Sequence, residues 1–265
     1  MTVPASTGRV LVIDAGNTRT KWAVCSAEHE FGTPFESSGV FINAALADAV
    51  IPEVWRNCRR AVIASVASVA VMAQIEPMLQ TLAIDVDRVN TTAQACGLQK
   101  GYAEPLQLGV DRWLAAIAAW RHCQAPCIVA CAGTALTVDA VGARQGNGQG
   151  LLLGGLIVPG FRLMQHSLLE GTAAIGTAAG VLRTFPDNTS DGVYNGATVA
   201  MTGAILHMLG QLHHREGRPP RCIVSGGDAA LLVEALALQH GFDYSVTVID
   251  NLVLQGLQLI ERERP

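Results

Sequence analysis

An acidic residue, a glycine-containing turn and a lysine fall within one short stretch, Asp14-Ala15-Gly16-Asn17-Thr18-Arg19-Thr20-Lys21, a set suited to holding a polyphosphate. The Asp14 carboxylate can organise a hydrated metal ion. Gly16 and Asn17 both tolerate left-handed backbone angles, so the turn can offer its N–H groups, the Thr18 hydroxyl and the Lys21 ammonium to phosphate oxygens. Taken alone, the turn is equally compatible with an ordinary hairpin whose Asp and Asn make local bonds. A second turn of similar design occurs at Ala132-Gly133-Thr134-Ala135, and two such turns facing across a cleft could grip one polyphosphate from both sides. Val224-Ser225-Gly226-Gly227-Asp228 is a third small-residue turn, read either as a place of close backbone approach to a nucleotide or as helix capping. Gly109-Val110-Asp111-Arg112 adds a carboxylate able to accept a proton from a substrate hydroxyl and a guanidinium for an anion. Its plainer reading is an N-cap with a surface Arg. No GxxxxGK[ST] phosphate loop, Ser-His-Asp set or glycosidase-like carboxylate pair stands out.

The elements that must position these residues follow from the hydrophobic pattern. Val10 to Ile13 read as a strand covered on both faces, with Asp14 where it emerges. A second strand carries Lys21, and FGTPFESSGVF supplies turn residues and a third short strand; INAALADAVIPEVW has helical spacing. AVIASVASV is a buried strand, EPMLQTLAI a helix and DVDRVN a short strand, whereas TTAQACGLQKGYAEPLQLG reads as irregular. A helix begins near Asp111. The second half repeats the opening: strand CIVA, a Gly-Thr turn, strand LTVDAVG, strand LLLGGLIVPG, then helices, strand RCIVSGGD, a helix, strand YSVTVID and a final helix. This alternation gives an α/β class with mixed sheets. GNGQG is a turn, and HHREGRPPR, with His213 and His214, is expected to be a solvated loop.

With 265 residues, half of them hydrophobic and 15% charged, the chain can bury a large core and is not a disordered protein. A net charge of −4 without a basic stripe argues against nucleic acid as a partner. The segment MTVPASTG lacks the features of a signal peptide and no apolar run is long enough to span a bilayer, so a cytoplasmic protein without membrane contact is expected. Seven cysteines, an odd number, fit reduced thiols better than a disulfide framework. Cys127 and Cys131 share one strand face in CIVAC. With no clustered histidines beside them or Cys123, no metal site is expected there.

Asp14 to Lys21, Gly109 to Arg112, Gly133-Thr134-Ala135 with Thr137 and Asp139, and Gly154-Gly155-Leu156-Ile157-Val158-Pro159-Gly160 occur in an order that resembles the type III pantothenate kinases, a family shared with Bvg accessory factor proteins. The resemblance runs from end to end. It implies an actin/hexokinase/Hsp70-like fold of two ribonuclease-H-like halves, at residues 1–115 and 116–265, with ATP in the cleft between them and the last helix packed back on the first half. It also implies ATP-dependent phosphorylation of pantothenate to 4′-phosphopantothenate, the first step of coenzyme A synthesis, with Mg²⁺ and a homodimeric state. The apolar helix from Asp111 to Trp120 is a candidate interface. Carried over by motif, Asp14 to Lys21 form the first phosphate loop with Asp14 near magnesium, Thr134 touches ATP, and Asp111 is the general base. Tyr102, Gly109, Val110, Asp111, Arg112 and Thr172 would line the pantothenate site. One position departs from the pattern: where the family's second phosphate motif usually carries an Asp that binds K⁺ or NH₄⁺, this chain has Cys131. A thiol is a poor ligand for a hard cation, so monovalent-cation dependence is expected to be weakened, lost or served by other oxygens. The competing expectation is a non-catalytic nucleotide-binding accessory protein of the same fold.

Overall fold

The computed structural model describes residues 8–26, 28–102, 104, 107–144, 148–171, 179–239 and 241–264. The first strands are β1 (Arg9–Ala15), β2 (Arg19–Ser26), β3 (Ser37–Ile42) and β4 (Arg60–Ser65), followed by helix α1 (Val69–Thr81) and β5 (Asp85–Arg88). Next come β6 (Gln94–Ala95), β7 (Leu98–Lys100), α2 (Val110–Cys123), β8 (Cys127–Ala132), β9 (Ala135–Ala143), β10 (Gly150–Pro159) and α3 (Phe161–Gly171). The chain then runs through α4 (Thr189–Glu216), β11 (Arg221–Gly226), α5 (Ala229–Ala237), β12 (Val246–Val248) and α6 (Leu252–Arg262). It separates into two compact units, Met1–Cys96 with Ala103–His122 and Leu252–Pro265, and Gly97–Tyr102 with Cys123–Asn251.

The first sheet has the order β3-β2-β1-β4-β5, and the second β12-β11-β8-β9-β10-β7-β6. In the first, β1, β2 and β3 form an antiparallel meander and β4 and β5 add in parallel on the other side of β1. The same plan recurs around β8, with β9 and β10 antiparallel and β11 and β12 parallel. This is the ribonuclease-H-like arrangement, present twice in an α/β chain. Two-sided burial of β1 follows from its unbroken apolar run. Leu11 and Ile13 pack with Trp22, Trp55 and α1, whereas Val12 packs on the opposite face with Leu114 of α2 and Leu254 and Leu257 of α6. In the second sheet, alternation sends Ile128, Ala130, Leu136 and Val138 against Met201, Ile205 and Leu209 of α4.

Several local expectations change in the folded chain. INAALADAVIPEVW is not one helix but two 3₁₀ turns, Asn43–Asp48 and Glu53–Asn57, because the backbone is extended at Ala49 and at Pro52, which interrupts the run. The segment read as irregular supplies β7, which pairs with β10 from Gly150 to Leu152, and the two-residue β6. His213 and His214 lie in the last turn of α4 rather than in a loop. The helix ends one residue beyond Glu216, at Gly217 with φ 67°, and His213 packs edge-on to Tyr244. The candidate interface on α2 is also withdrawn: Trp113 to Trp120 are each at most 4% exposed, buried within the chain itself.

Candidate active site

In the first unit the site is built at the end of β1. Asp14 pairs in register with Lys21 on β2, which places both side chains on one face of the sheet, side by side. Beyond them the chain turns through Gly16 to Arg19, closed by the Gly16 N–H donating to the Arg19 carbonyl at 3.1 Å. Asn17, Thr18 and Arg19 are exposed, whereas Ala15 and Thr20 on either side are buried. The turn therefore projects from a fixed base.

One residue that holds this turn carries no sequence signal. Asn43, buried at the start of the first 3₁₀ turn, donates from Nδ2 to the carbonyls of Gly16 at 2.8 Å and Asn17 at 3.0 Å, and from its backbone N–H to the Thr18 carbonyl at 3.0 Å. The buried Thr20 hydroxyl in turn donates to Asn43 Oδ1 at 2.9 Å. Its distance in sequence from the turn hides it, and no motif or spacing in the chain points to position 43.

The Asp14 carboxyl is pushed up to about 7, first by burial, which penalises its charge; Lys21 opposes this and Asp111 reinforces it. Asp111 thus acts on Asp14 through its charge although the two are far apart in the sequence. Asp111 sits in the first turn of α2, where the helix N-terminus favours negative charge. Its carboxylate folds back over Gly109: a Cβ on Gly109 would lie 2.5 Å from Asp111 Oδ1, so a side chain there would push the carboxylate aside. Arg112 is buried at 8% exposure, which is not the surface Arg of the plainer reading. Val110 and Gly109 are half-buried.

The second unit carries the other turn at the end of β8. Gly133 donates to the Ala135 carbonyl at 3.0 Å, and Gly133 and Thr134 are exposed at its tip. Two glycines crowd it. A Cβ on Gly160 would run into the Gly133 carbonyl oxygen and lie 2.7 Å from that of Thr134, and the Gly160 N–H donates to Thr134 at 3.0 Å. Gly226, at φ 104°, lies so close beneath Ala132 that a Cβ would overlap its carbonyl oxygen. The third small-residue turn is thus a packing support for the second. Asp228 makes no side-chain cap bond to α5, so the capping reading of that turn is not met. Cys131 is half-buried, with Thr137 and Ser225 as its register neighbours on the flanking strands. Tyr102 is half-buried and follows Gly101, whose N–H donates to Leu152 at 2.8 Å. Thr172 lies outside the described residues. Among the described residues no cluster of three or more His, Cys, Asp or Glu could hold a metal ion, and no helix is long and apolar enough to cross a membrane.

Residues 10–211 match the family described as type III pantothenate kinase. A type III pantothenate kinase of Methylobacillus flagellatus is 44% identical over 256 residues, covering 97% of this chain and 99% of the relative. One from Nitrosospira multiformis is 39% identical, covering 96% of this chain and 91% of the relative. Among solved structures, a Baf family protein from Campylobacter jejuni superposes with a TM-score of 0.61 at 16% identity, over 96% of this chain and 98% of that one.

Proposed function

The chain belongs to the type III pantothenate kinase family, and on that premise we propose that it moves the γ-phosphoryl group of ATP to the primary hydroxyl of pantothenate with Asp111 as the base. The observation that best supports the base assignment is the place of Asp111 in the first turn of α2 beside Gly109, in the same unit as the paired Asp14 and Lys21. Phosphoryl transfer asks little covalent chemistry of a protein, so the work is placement, charge neutralisation and removal of one proton. The turn from Ala15 to Thr20 offers N–H groups to the phosphates, Lys21 adds a positive charge and Thr134 contacts ATP from the second turn. Asp111 accepts the hydroxyl proton as the oxygen attacks. Arg112 faces the pantothenate carboxylate, and Tyr102, Gly109, Val110 and Thr172 line the rest of that substrate.

The acidic pair fits a magnesium ion: burial beside Asp111 drives Asp14 towards its neutral form, and a hard cation on its oxygens would reverse that. Mg²⁺ held there by Asp14 would neutralise charge on the transferring phosphates. The second turn does not fit a monovalent cation in the same way. Cys131 supplies sulfur and its neighbours Thr137 and Ser225 only hydroxyls, so no part of the mechanism is assigned to K⁺ or NH₄⁺. Work in the cytoplasm as a homodimer completes the reading. Exposed Leu163 and Leu168 on α3 and Ile157 on β10 support a contact between copies better than the buried α2 does. The retained Asp14, Lys21, Asp111 and Arg112 give a non-catalytic accessory role no support.

Coupled ADP release with and without pantothenate tests the reaction. The wild type should release ADP only when pantothenate is present, and Asp111→Asn should lower kcat by about 10³-fold with ATP KM and melting temperature held. Near-normal turnover in that variant would remove Asp111 from its role.

A further inference from the structure

We infer that Asn43 is a positioning residue for ATP: it sets the direction of the backbone N–H groups in the first phosphate turn without touching the nucleotide. The inference rests on the kinase reading above for the identity of the ligand, but its geometry is independent of that reading.

In a planar trans peptide the C=O of one residue and the N–H of the next point in opposite directions. Asn43 draws in three consecutive carbonyls, those of Gly16 and Asn17 through Nδ2 and that of Thr18 through its own backbone N–H. The N–H groups of Asn17, Thr18 and Arg19 belong to those same three peptide planes and are therefore turned away from Asn43, on the side where these residues are exposed. Successive N–H groups facing one way form a concave anion site. The two Nδ2 bonds hold the Gly16 and Asn17 carbonyls inward, and their loss would let those planes rotate.

The amide is itself oriented. Its Oδ1 accepts from the buried Thr20 hydroxyl at 2.9 Å, which leaves Nδ2 as the atom that must face the turn. A buried amide with both ends engaged cannot flip without losing three side-chain hydrogen bonds. The hairpin of β2 and β3 delivers it, since Arg19 pairs with Ile42 and position 43 follows directly. Asn43 thus reads the register of that hairpin into the shape of the phosphate turn.

Asn43→Asp keeps the shape but replaces the donor with an oxygen facing two carbonyls. It should weaken ADP binding, measured by calorimetry without pantothenate, by roughly tenfold or more, and raise ATP KM to match. Pantothenate KM and kcat should stay within about twofold, a split that general loosening of the fold would not produce. Thr20→Val, which removes only the bond to Oδ1, should give a smaller rise in ATP KM, about threefold, and serves if the Asp variant does not fold. Unchanged ADP affinity in either folded variant, or equal losses of kcat and of both KM values, would overturn the inference. A wild type that binds ADP but does not turn over pantothenate would instead count against the kinase reading and leave the calorimetric test of Asn43 in force.

Discussion

The turns after β1 and β8 share a strand-turn-strand plan but are held by different means. The first, after β1, is rich in charge and hydrogen bonds: Asp14 and Lys21 stand in register, and Asn43 fixes the carbonyls behind. The second, after β8, has Cys131 at the position before its turn and is fixed by crowding, with Gly160 and Gly226 packed against its backbone. One fold motif can thus fix a turn either by bonding it from below or by leaving no space for it to move. The first solution brings formal charge to the site and the second brings close approach.

Removing the charge of the first turn should have the largest effect. Asp14→Asn is expected to cost roughly a hundredfold in kcat, the loss typical of removing one preorganised electrostatic group, while raising stability at pH 8. The sign follows from linkage. A carboxyl raised from 3.8 to about 7 binds its proton more tightly in the folded state, so its ionisation opposes folding; the penalty is absent below pH 4, grows towards pH 7 and is complete above it. For a half-buried group we expect a gain of ~2 kcal/mol at pH 8 and little at pH 4, checked by urea unfolding at both. A flat difference between variant and wild type across that range would show that Asp14 is not the strained charge of the site. By the same sign, apparent Mg²⁺ affinity in the wild type should fall as pH drops below about 7, because the proton competes for the carboxylate.

The crowded turn is tested by adding one methyl group. Gly226→Ala places a Cβ on the Ala132 carbonyl at a φ that side chains avoid, and should cost about 2 kcal/mol of stability and raise ATP KM roughly tenfold. A normal ATP KM would mean that the position of the second turn matters little to the nucleotide.

The smallest effect addresses the asymmetry itself. Wild-type turnover should agree within about twofold in Na⁺, K⁺ and NH₄⁺, whereas Cys131→Asp, which makes the second turn acidic like the first, should gain activation by K⁺ of a few fold, about threefold. Steady-state rates at constant ionic strength decide it, and strong K⁺ activation of the wild type would show that other oxygens serve in place of Cys131.

What the sequence determined by itself was local and periodic. The apolar run Val10 to Ile13 could only be a strand buried on both faces, and the Gly-containing turns could only interrupt strands. The motifs from Asp14 to Gly160 then identified the family, because short spacings survive in the chain whatever the tertiary context. Where sequence reasoning failed, the deciding partner was remote. Position 43 read as part of a helix, yet pairing of Arg19 with Ile42 across β2 and β3 ends the strand there and hands Asn43 to the turn. His213 read as loop, but α4 runs on to Glu216 and brings it edge-on to Tyr244. The about-7 carboxyl of Asp14 needed burial and the approach of Asp111, neither of which a spacing encodes. Backbone preference and hydrophobic period act over a few residues and can be read in order. Desolvation, close approach and buried hydrogen bonds depend on what the fold brings near, and only the tertiary structure decided them.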